Sequence, residues 1–124
     1  MVELLTDLPP HVAAYKATGA VSKEEYEQVV MLRVNQVAEQ FGKINFLVLL
    51  ETDMDNYSIG AFVDYVKISF QHFSRWERMA IVSDERWVRN TYDVLSYLVH
   101  GTIKTYLTKD ADLAKQWVSG PLSS

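Results

Sequence analysis

Seven carboxylates, Glu51, Asp53, Asp55, Asp84, Glu85, Asp110 and Asp112, follow apolar runs of the chain and are the side chains best placed for chemistry. If those runs are parallel strands, the carboxylates gather at the carboxyl edge of one sheet, where ligands bind in open α/β folds. Such a set could hold a cation or offer a phosphoacceptor aspartate. However, there is no D-x-D-x-D-G calcium loop, and acidic residues in the first turn of a helix are favoured by the helix dipole alone. Starting helices is the plainer role for them. His11, His72 and His100 are far apart in sequence and lack the spacing of a zinc pair. Cysteine is absent, which removes disulfides, thiolate zinc sites and thiol nucleophiles. No G-x-S-x-G, phosphate loop or G-x-G-x-x-G is present, so no serine or threonine has a recognisable base or cradle. The expectation is a protein without catalysis, metal or cofactor.

The carboxylates Glu51 to Asp55 belong to the unit that organises the chain, residues 44 to 74. Residues 44–50 form a nearly continuous apolar run, the pattern of a strand buried on both faces in a parallel sheet. A helix is predicted from about Ser58 to Phe73. Ile59, Phe62, Val63, Val66, Phe70 and Phe73 recur at helical spacing and make its core stripe. Ala61, Tyr65 and Ile68 fall roughly opposite, where a solvated helix carries charge. This second apolar face points to something bound, and the acidic turn from Asp53 to Gly60 is a candidate hinge.

Other elements follow in order. Val2 to Leu5 and Val12 to Thr18 read as strands joined through Pro9-Pro10, close enough for an antiparallel pair. Ser22-Lys23-Glu24-Glu25 is a capping box that opens a helix, with Tyr26, Val30, Val34, Val37 and Phe41 inward and Gly42 as its left-handed stop. Residues 79–83 form a short strand. Ser83 or Asp84 then caps a third helix with Val88, Thr91, Tyr92, Leu95, Leu98 and Val99 on one side, widened by Trp87 and Val94. A strand over residues 102–107 and a short helix over 110–118 close the chain before Gly120-Pro121. Strands alternating with helices imply parallel pairing through right-handed crossovers.

Bulk properties narrow the function further. A chain of 124 residues makes one domain. Its formal net charge of -4 argues against nucleic acid as a partner. No apolar stretch approaches the ~20 residues of a membrane span, and no export signal opens the chain, so a cytoplasmic location is expected. Trp76, Trp87 and Trp117, with Arg75, Arg78, Arg86 and Arg89 beside them, suit either a membrane interface or gaps between helices and sheet. For Trp117 the core is the expected place.

Three phrases in this order carry a family resemblance: Val21-Ser22-Lys23-Glu24-Glu25-Tyr26, Asn56-Tyr57-Ser58-Ile59-Gly60, and Trp76-Glu77-Arg78-Met79-Ala80-Ile81-Val82-Ser83-Asp84. With the element order, they make the chain resemble the SpoIIAA-like proteins, relatives of the STAS (sulfate transporter and anti-sigma antagonist) domain. The resemblance implies an α/β fold: a βα superhelix with a five-stranded, mostly parallel sheet in sequential order, the first strand antiparallel, and four helices mainly on one face. Its best-known members are antagonists phosphorylated on a serine at the start of the second helix, in a D-S-S-G-type phrase. Here Asn56 and Tyr57 stand where Asp and Ser would be, leaving Ser58 as the regulatory candidate, although a serine there also serves as a plain N-cap. The family is similar in architecture to the lipid-binding CRAL-TRIO domains. The reading from the two over-apolar helices is therefore a cytoplasmic module that binds a small apolar or amphipathic, lipid-like ligand through Phe62, Tyr65, Val66, Ile68, Trp87 and Tyr92. Peripheral membrane contact and a homodimer through the same helices are further expectations. The alternative is a protein-interaction switch of anti-sigma antagonist type.

Overall fold

The computed structural model describes residues 1–51, 53–72, 75–86 and 101–121, with Lys67 and residues 69–72 described in backbone only. Five strands form one sheet in sequential order: β1 (Val2–Leu4), β2 (Val12–Ala17), β3 (Ile44–Leu50), β4 (Trp76–Val82) and β5 (Thr102–Tyr106). β1 runs antiparallel to β2, and the other neighbours are parallel, as expected. The apolar run of β3 is explained by its central place between β2 and β4. Alternate residues of β3 serve two cores. Ile44, Phe46, Val48 and Leu50 join the larger core with Tyr15, Met79 and Ile103, whereas Leu47 joins a smaller one with Val12, Ala14, Ala80 and Val82.

The first helix covers the larger core. It runs as α1 (Lys23–Glu25), a π-helical stretch (Tyr26–Met31) and α2 (Leu32–Phe41). Ser22 accepts from Glu25 N–H at 3.0 Å, and Gly42 ends the helix at φ 75°, both as the sequence predicts. The wide stretch has a reason in the spacing of its buried residues. Tyr26, Val30 and Val34 recur every four residues, a longer period than the 3.6 of an α-helix, and the extra residue per turn keeps all three on the core stripe. The buried hydroxyl of Tyr15 donates to Val30 C=O at 2.9 Å within that stretch. Burial pushes the Tyr15 phenol well above its ordinary range, so it remains a donor at every pH the fold meets.

The second helix, α3 (Asn56–His72), lies over the same core. Ile59, Phe62, Val63 and Val66 are buried against it as the stripe predicts. The last helix, α4 (Ala111–Val118), follows a 3₁₀ turn at Thr108–Asp110 and covers the opposite face, where Ala114 and Val118 meet the smaller core. Asp110 makes no side-chain cap there. The third helix expected from the sequence, with Trp87 and Tyr92, lies outside the described residues, as do Phe73 and the side chains of Phe70 and His72. Gly101, just before β5, passes so close to β4 that a Cβ would stand 2.3 Å from the Glu77 carbonyl oxygen.

Candidate functional site

The start of α3 differs from the serine-capped start that the sequence allows. Asp55, one residue before the helix, is the cap: its carbonyl accepts from Ile59 N–H at 3.0 Å, and its carboxylate accepts from Ser58 N–H at 2.7 Å. The Ser58 hydroxyl also bonds this carboxylate, and the two bonds hold Asp55 below the usual carboxylate range. Ser58 therefore sits in the first turn, only 8% exposed, with its hydroxyl engaged. Asp55 was the missing signal, three residues before a serine and ahead of an apolar run.

Three other carboxylates of the edge have local partners. Glu51 pairs with Lys16 at 3.5 Å, Asp53 accepts from Gly19 N–H at 3.4 Å, and Asp84 accepts from Thr108 N–H at 2.9 Å. Ser83 Oγ accepts from Glu85 N–H at 3.1 Å. Asp53, Asp55, Asp84 and Glu85 are exposed to solvent, and the described residues hold no group of three histidines or carboxylates arranged for a metal. His11 lies at the other end of the sheet, its Nε2 2.9 Å from the Gly120 carbonyl.

Of the residues expected to line a ligand site, Phe62, Tyr65, Val66 and Ile68 are described, and they stand in different surroundings on α3. Phe62 and Val66 point into the core and, with Phe46, Val48, Leu50, Val63 and Ile81, line a crevice beneath α3. The space there is about 10 Å³, room for one water at most. Tyr65 corrects the expectation of an outward face. It is half-buried and stacks on Tyr26 of the first helix with ring centroids 5.4 Å apart, while Phe62 meets the same ring edge-on at 5.5 Å. Only Ile68 of the set stands outward, 53% exposed; Trp87 and Tyr92 lie outside the described residues. Trp76 is buried against Phe46, and Trp117 is half-buried beside Tyr106, with the Lys104 ammonium 4.9 Å over its ring, so neither is free for a membrane surface. No helix among the described residues is long and apolar enough to cross a membrane.

What α3 does present outward is a stripe that keeps Ala61 and Ile68 of the expected outer face and adds Tyr57, which the sequence reading missed. Tyr57 and Ile68 are eleven residues apart, about 1100° around the helix and so within about 20° of each other. Ala61 and Asp64 lie between them on that line. Tyr57 is 86% exposed at the first turn, a large aromatic ring in water, and Asp53, Asp55 and Asp64, near it along the chain, are exposed as well. The hint was present in the phrase itself, where a tyrosine replaces the small polar residue.

Comparison with curated proteins and with solved structures returns no match. A family model does match, covering residues 12–119 and thus every strand but β1, the described helices and the α3 start. With its sequential sheet and single antiparallel edge strand, the chain belongs to the SpoIIAA-like family.

Proposed function

We propose that the protein is a non-catalytic, STAS-like regulatory module that docks another protein on the outer stripe of α3. The observation carrying this reading is Tyr57, an aromatic side chain left 86% exposed at the start of a helix whose inner face is already packed. Tyrosine is enriched at interface hot spots because it supplies a large contact area with few rotamers to freeze. Ile68 extends the stripe by about three turns. Asp53, Asp55 and Asp64 flank it, so a surface bearing Lys or Arg complements it. A two-fold pairing of the same stripe would bring those like charges together, which favours a different partner over a second copy. Among the described residues, the crevice beneath α3, about 10 Å³, is too small for a lipid-like molecule, because ligand pockets occupy hundreds of Å³.

A photo-crosslinking amino acid placed at Tyr57, at Ile68 and at the exposed Leu113 of α4 tests the reading inside cells that make the protein. A single discrete adduct shared by positions 57 and 68 and missing from 113 is expected. A crosslink to a second copy of the chain would replace the partner by a homodimer. Adducts at 113 alone, or a lipid retained by the purified protein in native mass spectrometry, would overturn the proposal.

A further inference from the structure

The two faces of the sheet are closed in different ways. Over the larger core lie bulky, fully buried side chains such as Tyr15, Phe46, Ile59, Phe62 and Met79. Over the smaller one, α4 sets Ala114 and Val118 against Val12, Ala14, Leu47, Ala80 and Val82. The fully buried side chains here are small, the larger Trp117, Leu8, Leu49 and Tyr106 are only partly buried at the margin, and an eight-residue helix does not hold itself in solution. The seat of α4 therefore depends on what fastens its ends.

Those fasteners are polar. Lys115 Nζ meets Asp7 Oδ2 at 2.9 Å on the surface. Beyond the helix, one amine of the Arg78 guanidinium donates to the Gly120 carbonyl and the other to the Pro121 carbonyl, each at 3.1 Å. His11 Nε2 reaches the same Gly120 carbonyl at 2.9 Å. A Cβ at Gly120 would lie 3.3 Å from the guanidinium, close enough to make that side chain give by a few tenths of an ångström. The guanidinium also contacts Glu77 Oε1 at 3.3 Å, and the same oxygen accepts from Asn45 Nδ2 at 3.2 Å. Asn45 is fully buried on the α4 side of β3, and its Oδ1 has no hydrogen-bond partner. The closed state thus leaves one acceptor unsatisfied that water would reach if the strap lifted.

We propose that α4 and residues 119–121 form a detachable cover, latched by Arg78 and His11 on two backbone carbonyls, whose release bares the Val12, Ala14, Leu47, Ala80 and Val82 face of the sheet. This inference does not depend on the α3 stripe. Opening is a local event below global unfolding, and because Lys115 and Asp7 pair in contact with solvent, salt weakens the closed state.

Amide hydrogen exchange on the full chain tests it. In the wild type the amides of residues 115–119 should exchange at least tenfold faster than those of residues 46–50 in β3, and the ratio should grow from 0.05 to 1 M salt (roughly a threefold change in Debye length or more). Arg78→Met keeps an unbranched stem and removes the donors. It should speed exchange of residues 115–119 about tenfold further, leave β3 unchanged and raise binding of an apolar dye such as anilinonaphthalene sulfonate. If Arg78→Met does not fold, Gly120→Ala, which presses on the guanidinium, should give the same pattern more weakly. A common exchange rate for α4 and β3 in the wild type, or equal acceleration of both in either variant, would overturn the latch.

Discussion

Deleting Glu27, an exposed residue in the π-helical stretch, should leave the fold intact, although losing a residue from the middle of a helix normally destroys its register. At about 100° per residue, the eight steps from Tyr26 to Val34 span about 800° in a regular α-helix, 80° beyond two full turns. The wide stretch absorbs that excess and keeps both residues on the core. With Glu27 gone, seven steps make about 700°, within about 20° of two turns, so a plain α-helix keeps Tyr26 against Phe62 and Tyr65. The control is deletion of the equally exposed Gln36 in α2, where no slack exists. It swings the segment just before it by about 100° and withdraws Val34 and Val30 from the core. At about 1.5–3 kcal/mol for each large apolar side chain, that loss is about 3–6 kcal/mol, a large part of a domain's stability. Urea unfolding followed by circular dichroism should place the Glu27 deletion within about 1 kcal/mol of the wild type. Equal damage from the two deletions would refute the account of the π stretch.

Tyr15→Phe removes the donor from the buried Val30 carbonyl and should cost about 1–3 kcal/mol in the same assay; a change under about 0.5 kcal/mol would mean that the carbonyl is satisfied without it. Asp55→Asn tests the cap through pH. The carboxyl of Asp55 is depressed in the folded state, so its stabilisation is complete above the ordinary value of 3.8 and lost as pH falls below it. The thermal midpoints of wild type and Asp55→Asn should differ at pH 7 and converge below pH 3.8, and a gap independent of pH would reject the charged cap. Gly101→Ala puts a methyl 2.3 Å from a backbone oxygen and should cost more than about 3 kcal/mol or prevent folding. Gly42→Ala meets open space and should cost only the left-handed backbone, about 1–2 kcal/mol. Similar melting temperatures for the two alanine variants would contradict the close approach of residue 101 to β4.

Local chemistry was legible in the sequence wherever one residue type has one dominant use. The Ser22 cap, the Gly42 stop and the two-sided burial of β3 are of this kind, although Glu25 turns to Val2 N–H instead of closing the capping box. Longer-range consequences were harder to read. Tyr65 appears on the solvent side of α3 when that helix is considered alone, and becomes half-buried because Tyr26 of the first helix stands beside it. Asn45 is the one polar residue in the apolar run of β3, yet it is fully buried opposite Arg78, where the register of β3 and β4 shifts and Glu77 bends toward both. Nothing in the alternation of β3 marks that bulge. The position of α4 on the second face follows from the inward side chains of Leu47, Ala80 and Val82, which a continuous apolar run does not assign to one face or the other.

The energetics of α3 separate the two functional readings more sharply than its composition does. To admit a ligand of even a few hundred Å³ into a crevice of about 10 Å³, the helix must lift Ile59, Phe62, Val63 and Val66 from the core. Four such side chains represent about 6–12 kcal/mol of burial, comparable with the total stability of a domain. A ligand would have to replace nearly all of it before gaining any affinity. A protein partner on the outer stripe displaces nothing, since Tyr57 and Ile68 are already in water and the cap at Asp55 holds the first turn in place. The same cap weighs against the Ser58 hydroxyl as a modification site in the closed turn, because a kinase would first have to break its bond to Asp55 and expose a side chain that is 8% accessible. Phosphorylation of Ser58 would therefore need the α3 start to fray first, which would also move Tyr57, one residue away.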